Sequence, residues 1–408
     1  MTVVGFISHK YMDNYDFEKI FENGDRYFAI ILESCLDFFP KDKKKFFSKI
    51  YAISDKLCSD GPLVKFGYEE IKRIVTKEMT LNFKEEPFSL ICIDEINISL
   101  IGRLRDELGI PGPSESLTSK FQDKLIMKKA LENTGVRIPK YENFSKEKIE
   151  NAALDYYCYL TNVFGLPFVL KPRAYAGSFG VFIVNNVDDF MGFLSKQIYC
   201  TLEYEVEEFI DGNLYHTDIV LKDGKVIFIE TCQYTYPNHL FAKGKIIASL
   251  VLQENEDLKK KLDAHAILAV ETLGKVNGTY HVEQFVNANG NIFFLEAAVR
   301  PAGISIAYMY EEMYGINLFT LDLASKLGRD ISFHRIPNLY CLQASVPYQH
   351  PFLEKINKQS FKSKISRLWI SNPIKSDQKS SSIVDIAAKF LLSSDQYADI
   401  NFDFHSLL

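Results

Sequence analysis

What the 408-residue sequence has little of narrows its class first. It carries no excess of positive charge: 47 Lys and Arg stand against 53 Asp and Glu, a formal net charge of -6, which gives no footprint for nucleic acid or an anionic membrane. The run Lys41-Asp-Lys-Lys-Lys45 is short and reads as a solvated surface. No uninterrupted apolar stretch reaches membrane-spanning length, and the opening Thr2-Val-Val-Gly-Phe-Ile7 lacks the basic region of a secretory leader. The seven cysteines are odd in number, far apart and without a CxxC pair, which argues against a disulfide framework or zinc site and for reduced thiols. A cytoplasmic location is therefore expected. No GxGxxG follows either N-terminal strand, so a dinucleotide site is not expected.

What is present points to a chain folded throughout. Hydrophobic residues make up 47%, with 32 Phe and 22 Tyr, and the length exceeds one ordinary core, so several subdomains are expected. The run 2–7 and the apolar run Phe88-Ser-Leu-Ile-Cys-Ile-Asp94 read as strands buried on both faces. Between them and Gly109, helical spacing of Ile98, Ile101, Leu104 and Leu108 predicts a helix. Together they predict an α/β N-terminal domain with an open parallel sheet, residues 1–115, closed by Pro111-Gly-Pro-Ser114. Helices are expected over 118–133 and 146–162. From residue 203 onward the pattern becomes antiparallel, with strands at 203–210, 215–221 and 225–230 and Asp223-Gly224 as a two-residue turn. A strand at 339–346, a polar stretch 371–382 and a helix at 383–392 complete the reading.

One hairpin carries chemistry. If Asn289-Gly290 is a two-residue type I′ turn, counting outward along Tyr280-His-Val-Glu-Gln-Phe-Val286 and Asn291-Ile-Phe-Phe-Leu-Glu-Ala297 sets Glu283 opposite Glu296. Phe285 and Phe294 then share the acids' face, and Val282, Val286, Phe293 and Leu295 cover the other. Like charges directly opposed repel unless something positive lies between them. Hard oxygen ligands without His or Cys suit Mg²⁺ or Mn²⁺, which commonly completes its shell with phosphate oxygens. Arg300 follows on the same side, its fork suited to phosphate or carboxylate. The pair reads equally well as a solvated hairpin face neutralised by Arg300.

A second stretch, Pro167-Phe-Val-Leu-Lys-Pro-Arg-Ala-Tyr-Ala-Gly-Ser-Phe-Gly-Val181, ends a buried strand with Lys171 and follows it with small residues whose backbone can approach an anion. Alone it reads also as a surface turn after an edge strand. His216 and His281 flank these motifs, and a lone strand histidine is more often structural than a catalytic base.

The motifs together resemble those of ATP-grasp enzymes, in particular the carboxylate–amine ligases that include L-amino-acid (dipeptide) ligases and D-alanine–D-alanine ligase. The residues concerned are Phe121-Gln-Asp-Lys124 with Gly135-Val-Arg-Ile-Pro139, Val169-Leu-Lys-Pro-Arg173 with Ala176-Gly-Ser-Phe-Gly180, Val206-Glu-Glu-Phe-Ile-Asp-Gly212, and Glu283 with Glu296-Ala-Ala-Val-Arg300. The resemblance implies α+β ATP-grasp domains over 116–335, a lid subdomain at about 163–230, and a C-terminal subdomain, 336–408, packed on that core. It implies that Lys124 and Lys171 contact ATP phosphates, that Ala176, Gly177, Ser178 and Gly180 cover the triphosphate, and that Glu207, Glu208, Phe209 and Ile210 hold adenine. It implies Glu283 and Glu296 as magnesium ligands, and Arg300 with Lys171 as the catalytic cations. The segment 234–239 would line the substrate pocket.

The expected reaction joins a small-molecule carboxylate to an amine, the partners being amino acids, through an acyl phosphate, with release of ADP and phosphate. Family members are often homodimers; the sequence leaves the choice between monomer and homodimer open here. Three departures stand out: Ala298 replaces an asparagine ligand, Leu214 stands where a ribose-binding acid is common, and Pro301-Ala-Gly303 replaces a paired glycine turn. A ligase or carboxylase for another substrate, and a nucleotide binder without catalysis, are the alternatives.

Overall fold

The structure, a computed structural model, describes all residues except 1, 9–10, 55–65, 83–85, 304, 349, 356–360, 372–378, 381–382 and 384. Most of the polar stretch expected at 371–382 lies outside the described residues. Three sheets organise the chain. Strands β1 (Val3–Ile7), β2 (Arg26–Leu32), β3 (Phe47–Ile53) and β4 (Phe88–Cys92) form a parallel sheet ordered β3-β2-β1-β4. Val4 and Phe6 enter one core and Val3 and Ile7 another, which is why these strands read as continuous apolar runs.

The second sheet is small and antiparallel: β5 (Tyr141–Asn143), β6 (Phe168–Pro172), β7 (Phe182–Val184) and β8 (Tyr204–Glu208), ordered β5-β8-β6-β7. Phe168, Leu170 and Val206 pack on Leu160 of helix Lys146–Phe164 and on Phe190 and Phe193 of helix Val187–Ser195. Alternation along β6 and β8 therefore sends Lys171, Glu205 and Glu207 to the opposite face.

The third sheet is antiparallel and runs β13-β12-β9-β10-β11-β14-β16-β15, with β9 (Gly212–Lys222), β10 (Lys225–Tyr234), β11 (Ile247–Val251), β12 (Gly278–Asn287), β13 (Ile292–Ala298), β14 (Tyr340–Pro347), β15 (Lys364–Ile370) and β16 (Ile386–Ser394). The turn between β9 and β10 has positive φ at both Asp223 (51°) and Gly224 (75°), as a type I′ turn requires.

Three local expectations give way. The helix expected over 118–133 is two, Glu115–Ser119 and Lys124–Leu131. The break is a cap: Asp123 accepts hydrogen bonds from the Leu125 and Ile126 amides at 2.9 and 3.3 Å. The helix expected at 383–392 is strand β16. Its apolar run is buried on both faces, with Ala388, Phe390 and Leu392 in one core and Leu391 in another, a pattern whose periodicity cannot separate strand from helix. The segment expected at 163–230 divides between sheets: the small sheet starts with β5 and ends with β8, while β9 and β10 belong to the large one.

Candidate active site

Helix Lys124–Leu131 puts Lys124 and Lys128 on one face, four residues apart. Both are buried, and they reach the charged face of the small sheet and the end of the large one. Lys128 lies 2.5 Å from both Glu205 and Glu207. Lys171 lies 2.8 Å from Glu207 and 3.6 Å from Glu205, while Lys124 approaches Glu296 at 3.2 Å and donates to the Tyr175 carbonyl at 2.7 Å. Burial, the largest single influence on Lys171, works to lower its pKa, but Glu207, Glu205 and Glu296 together outweigh it and leave it raised. The same cations overcome burial at Glu207 and Glu296 and hold both carboxyls below their usual range. The Lys171 ammonium meets both Glu205 and Glu207 at ion-pair distance.

The hairpin pairs Glu283 with Glu296 directly, by a route the sequence did not reveal. The turn is one residue longer than expected, since Asn287 rather than Ala288 is bonded to Asn291, at 3.1 Å. A β-bulge between Glu283 and Gln284 then returns the register. Between turn and bulge the faces are exchanged on β13: Phe293, not Phe294, pairs with Phe285. Phe294 is fully buried in the core, and Leu295 stands in the cleft beside the acids.

Glu283 accepts a hydrogen bond from Asn238 Nδ2 at 2.9 Å and lies 3.6 Å from His281 Nε2. Asn238 Oδ1 is buried without a hydrogen-bond partner among the described residues. Behind Glu283, Asp218 bridges His281 and His216, each at 2.8 Å, and accepts from the Tyr310 hydroxyl at 2.7 Å. Burial opposes protonation of His281, but Asp218 and Glu283 carry its pKa up to about 10; His216, buried beside Cys232 and Asp218, rises to about 9. His216, Asp218 and His281 are close enough to hold a metal ion. Both imidazoles already bond Asp218, whose charge favours their protonated form, and the cluster reads as a buried charge network supporting Glu283.

Two cavities meet at the acid pair. The first, about 760 Å³ with its open mouth, lies between small and large sheets and is lined by Lys171, Glu208, Phe209, Ile210, Leu214 and Leu295. Leu214, in place of an acid, forms part of its apolar wall. The second, about 2010 Å³ with its mouth, opens at the carboxyl ends of β1 and β4, where Tyr11 and Glu95 face Arg300. Arg300 donates to Glu95 through Nε at 2.9 Å and Nη2 at 2.5 Å, and to the Pro301 carbonyl at 3.0 Å. Lys124, Glu283 and Glu296 line both cavities.

The loop 176–180 stands between them: Ala176 and Gly177 face the second cavity, and Ser178 faces both. Gly177, Ser178 and Gly180 have positive φ of 67°, 59° and 68°, a backbone that turns amides toward a concave face. Gly180 lines neither cavity. Its carbonyl accepts from the Tyr204 hydroxyl at 3.0 Å, and an added Cβ would come within 2.7 Å of that oxygen.

The structure thus brings together Lys124, Lys171, Ser178, Glu283, Glu296 and Arg300. It also places Glu207 with them, but the carboxylate expected at the adenine edge is engaged by Lys128 and Lys171. Sequence reasoning missed Glu95, Lys128 and Glu205, and named Asn238 only as part of the segment 234–239. The Lys124/Lys128 spacing and the alternation of Glu205 with Glu207 were signals available for two of them.

Known proteins resemble the chain in sequence and in fold. The family described as D-ala D-ala ligase C-terminus matches residues 130–318. An L-arginine-specific L-amino acid ligase from Bacillus subtilis is 25% identical over 322 residues, 74% of each chain. Among solved structures, the L-amino acid ligase from Bacillus licheniformis superposes with a TM-score of 0.72 at 15% identity, over 100% of this chain and 97% of that one. The N5-carboxyaminoimidazole ribonucleotide synthetase from Thermotoga maritima gives 0.66 at 16% identity, over 100% and 98%.

Proposed function

Because the chain is an ATP-grasp protein that resembles the L-amino-acid ligases, we propose that it is an ATP-dependent ligase that joins the carboxylate of one amino acid to the amine of another. The observation that carries this reading is the acid pair Glu283 and Glu296 at the junction of two cavities, with lysines on one side and Arg300 on the other. A nucleotide entering from the first cavity and a carboxylate from the second would meet there.

The donor set fits a hard divalent cation. Glu283 and Glu296 offer carboxylate oxygens, and Asn238 Oδ1, without a hydrogen-bond partner among the described residues, offers a third oxygen where Ala298 cannot. When bound, Mg²⁺ or Mn²⁺ would neutralise phosphate oxygens between the two acids. The described chain supplies the rest. Lys124 and Lys171 hold phosphate charge, the amides and hydroxyl at Ala176, Gly177 and Ser178 close over it, and Gly180 anchors that loop. The backbone and side chains of Glu208, Phe209 and Ile210 take the base. Glu207 sets the position of Lys171 rather than reading adenine.

Arg300 binds the reacting carboxylate and the transferring phosphoryl group, leaving Glu95 as it does so. The substrate carboxylate oxygen forms its bond to the γ-phosphorus as the bond to ADP breaks, giving an acyl phosphate. The amine then attacks the acyl carbon, phosphate leaves, and the amine proton passes to solvent or phosphate. A second reading, amidation or carboxylation of a phosphate-bearing amine, is favoured by the likeness to the Thermotoga synthetase.

The test is phosphate release from Mg²⁺-ATP across single and paired L-amino acids. Release restricted to certain pairs is expected, falling by about 10³-fold or more in Glu296→Gln while thermal denaturation of that variant stays near wild type. Release that is independent of amino acids, or that survives Glu296→Gln, would overturn the reading.

A further inference from the structure

The second cavity has a wall that the proposed chemistry does not use. Strand β16 contributes it, with Asp385 just before the strand on the same wall, and Lys389 of that strand lines the same cavity as the acid pair. Its neighbours Ala388 and Phe390 point the other way, into the core under the C-terminal helix Tyr397–Ser406, so alternation sends Lys389 toward the cavity. Its ammonium lies 5.1 Å from the Trp369 ring centre, and Trp369 is stacked on Tyr308 at 5.4 Å. The lysine is thus held on an aromatic shelf and not extended into solvent.

Lys389 differs from every other cation around the site. Lys124, Lys171 and Arg300 each meet a carboxylate. Lys389 pairs with no carboxylate among the described residues, and burial, with nothing to offset it, lowers its pKa. A partly buried ammonium without a counter-ion is costly, and an anion that enters the cavity removes that cost while gaining a charge-assisted contact.

We propose that Lys389 receives an anionic group of the amine-bearing substrate, a carboxylate or phosphate that does not take part in bond formation. The proposal rests on the ligase reading: the same substrate presents its amine toward Arg300 and the acids, and its anion to β16. An acceptor amino acid fits this through its free α-carboxylate. An amine carrying a phosphate shares the chemistry.

The test compares free L-amino acids with their C-terminal amides as acceptors, in wild type, Lys389→Met and Lys389→Arg. Wild type is expected to favour the free acid by about tenfold to a hundredfold in kcat/KM, through KM. Lys389→Met should collapse that ratio toward one, and Lys389→Arg should restore most of it. O-Phosphoethanolamine serves as the phosphate probe: turnover with it and not with amino acids, lost in Lys389→Met, assigns the anion as phosphate. Calorimetric titration of L-alanine, L-alaninamide and O-phosphoethanolamine without ATP reads the same preference independently of catalysis. Anion preference in binding without turnover would leave the Lys389 assignment standing and remove the ligase reading. An acid-to-amide ratio unchanged by Lys389→Met, or equal binding of all three probes to wild type, overturns the proposal.

Discussion

The two cavities flanking Glu283 and Glu296 are built on opposite electrostatic plans. On the small-sheet side, Lys124, Lys128 and Lys171 are interleaved with Glu205, Glu207 and Glu296, so charge is balanced before anything binds. On the other side, Arg300 leans on Glu95, and Lys389 forms no ion pair among the described residues although Asp94 and Asp385 line the same cavity, so its cations are spread out and not interleaved with acids. Such a difference separates positioning from recognition. Balanced buried charge fixes where groups stand, at a desolvation cost that makes it weak evidence for stability. Unbalanced charge leaves an appetite for a ligand.

The comparison can be broken most forcefully at Lys171. Lys171→Met should lower kcat/KM for ATP by about 10²–10³-fold and, by leaving Glu205 and Glu207 to Lys128 alone, lower the melting temperature as well. Steady-state kinetics and calorimetry check both. If only the kinetics change, Lys171 is not part of a balanced set. Gly180→Ala probes the divider. The new methyl would crowd the Tyr204 hydroxyl and Pro172 and would sit at a φ of +68°, costing about 1–3 kcal/mol of local strain. Turnover should fall about tenfold with a small change in melting temperature, and limited proteolysis should show the loop more readily cut.

The smallest effect concerns a buried acid far from either cavity. Glu230 lies under Lys259, Arg335 and Tyr314, yet burial, the largest influence, pushes its carboxyl up to about 7. A carboxyl whose folded pKa exceeds its unfolded value of 4.5 keeps a proton that the unfolded chain has released. Stability contributed by this group therefore falls as pH rises from about 4.5 to about 7 and is level above. Glu230→Gln should flatten that segment of the melting-temperature profile. An identical slope in both proteins would show that Glu230 is charged throughout, as balanced as the lysine–glutamate set.

The same contrast explains what could be read from the sequence. The small-sheet side is made by local motifs: Lys171 stands at the end of one strand, and Glu205 and Glu207 alternate on its partner. The Glu283–Glu296 pairing was legible too, though two deviations cancelled, a longer turn and a bulge, and Phe294 and Leu295 exchanged places between them. Bulges carry no reliable signal in one sequence, so that exchange was hidden. The other cavity draws on Tyr11, Glu95, Arg300 and Lys389, residues joined only by tertiary folding. Lys389 is further obscured because its strand, apolar on both faces, carries a pattern that also fits a helix.

The sheet that carries both Glu283 and Lys389 has a further consequence. From β12 to β16 the ladder passes through β9, β10, β11 and β14, a path of roughly 24 Å at about 4.8 Å per strand, yet both residues face one cavity. Continuous backbone bonding across these strands holds the two side chains in a set relation to one another. On the proposed reading the sheet works as a fixed gauge: the span between the acid pair and Lys389 is set by the ladder, so a change in preferred acceptor length would come from exchanging side chains on the gauge and not from moving its jaws.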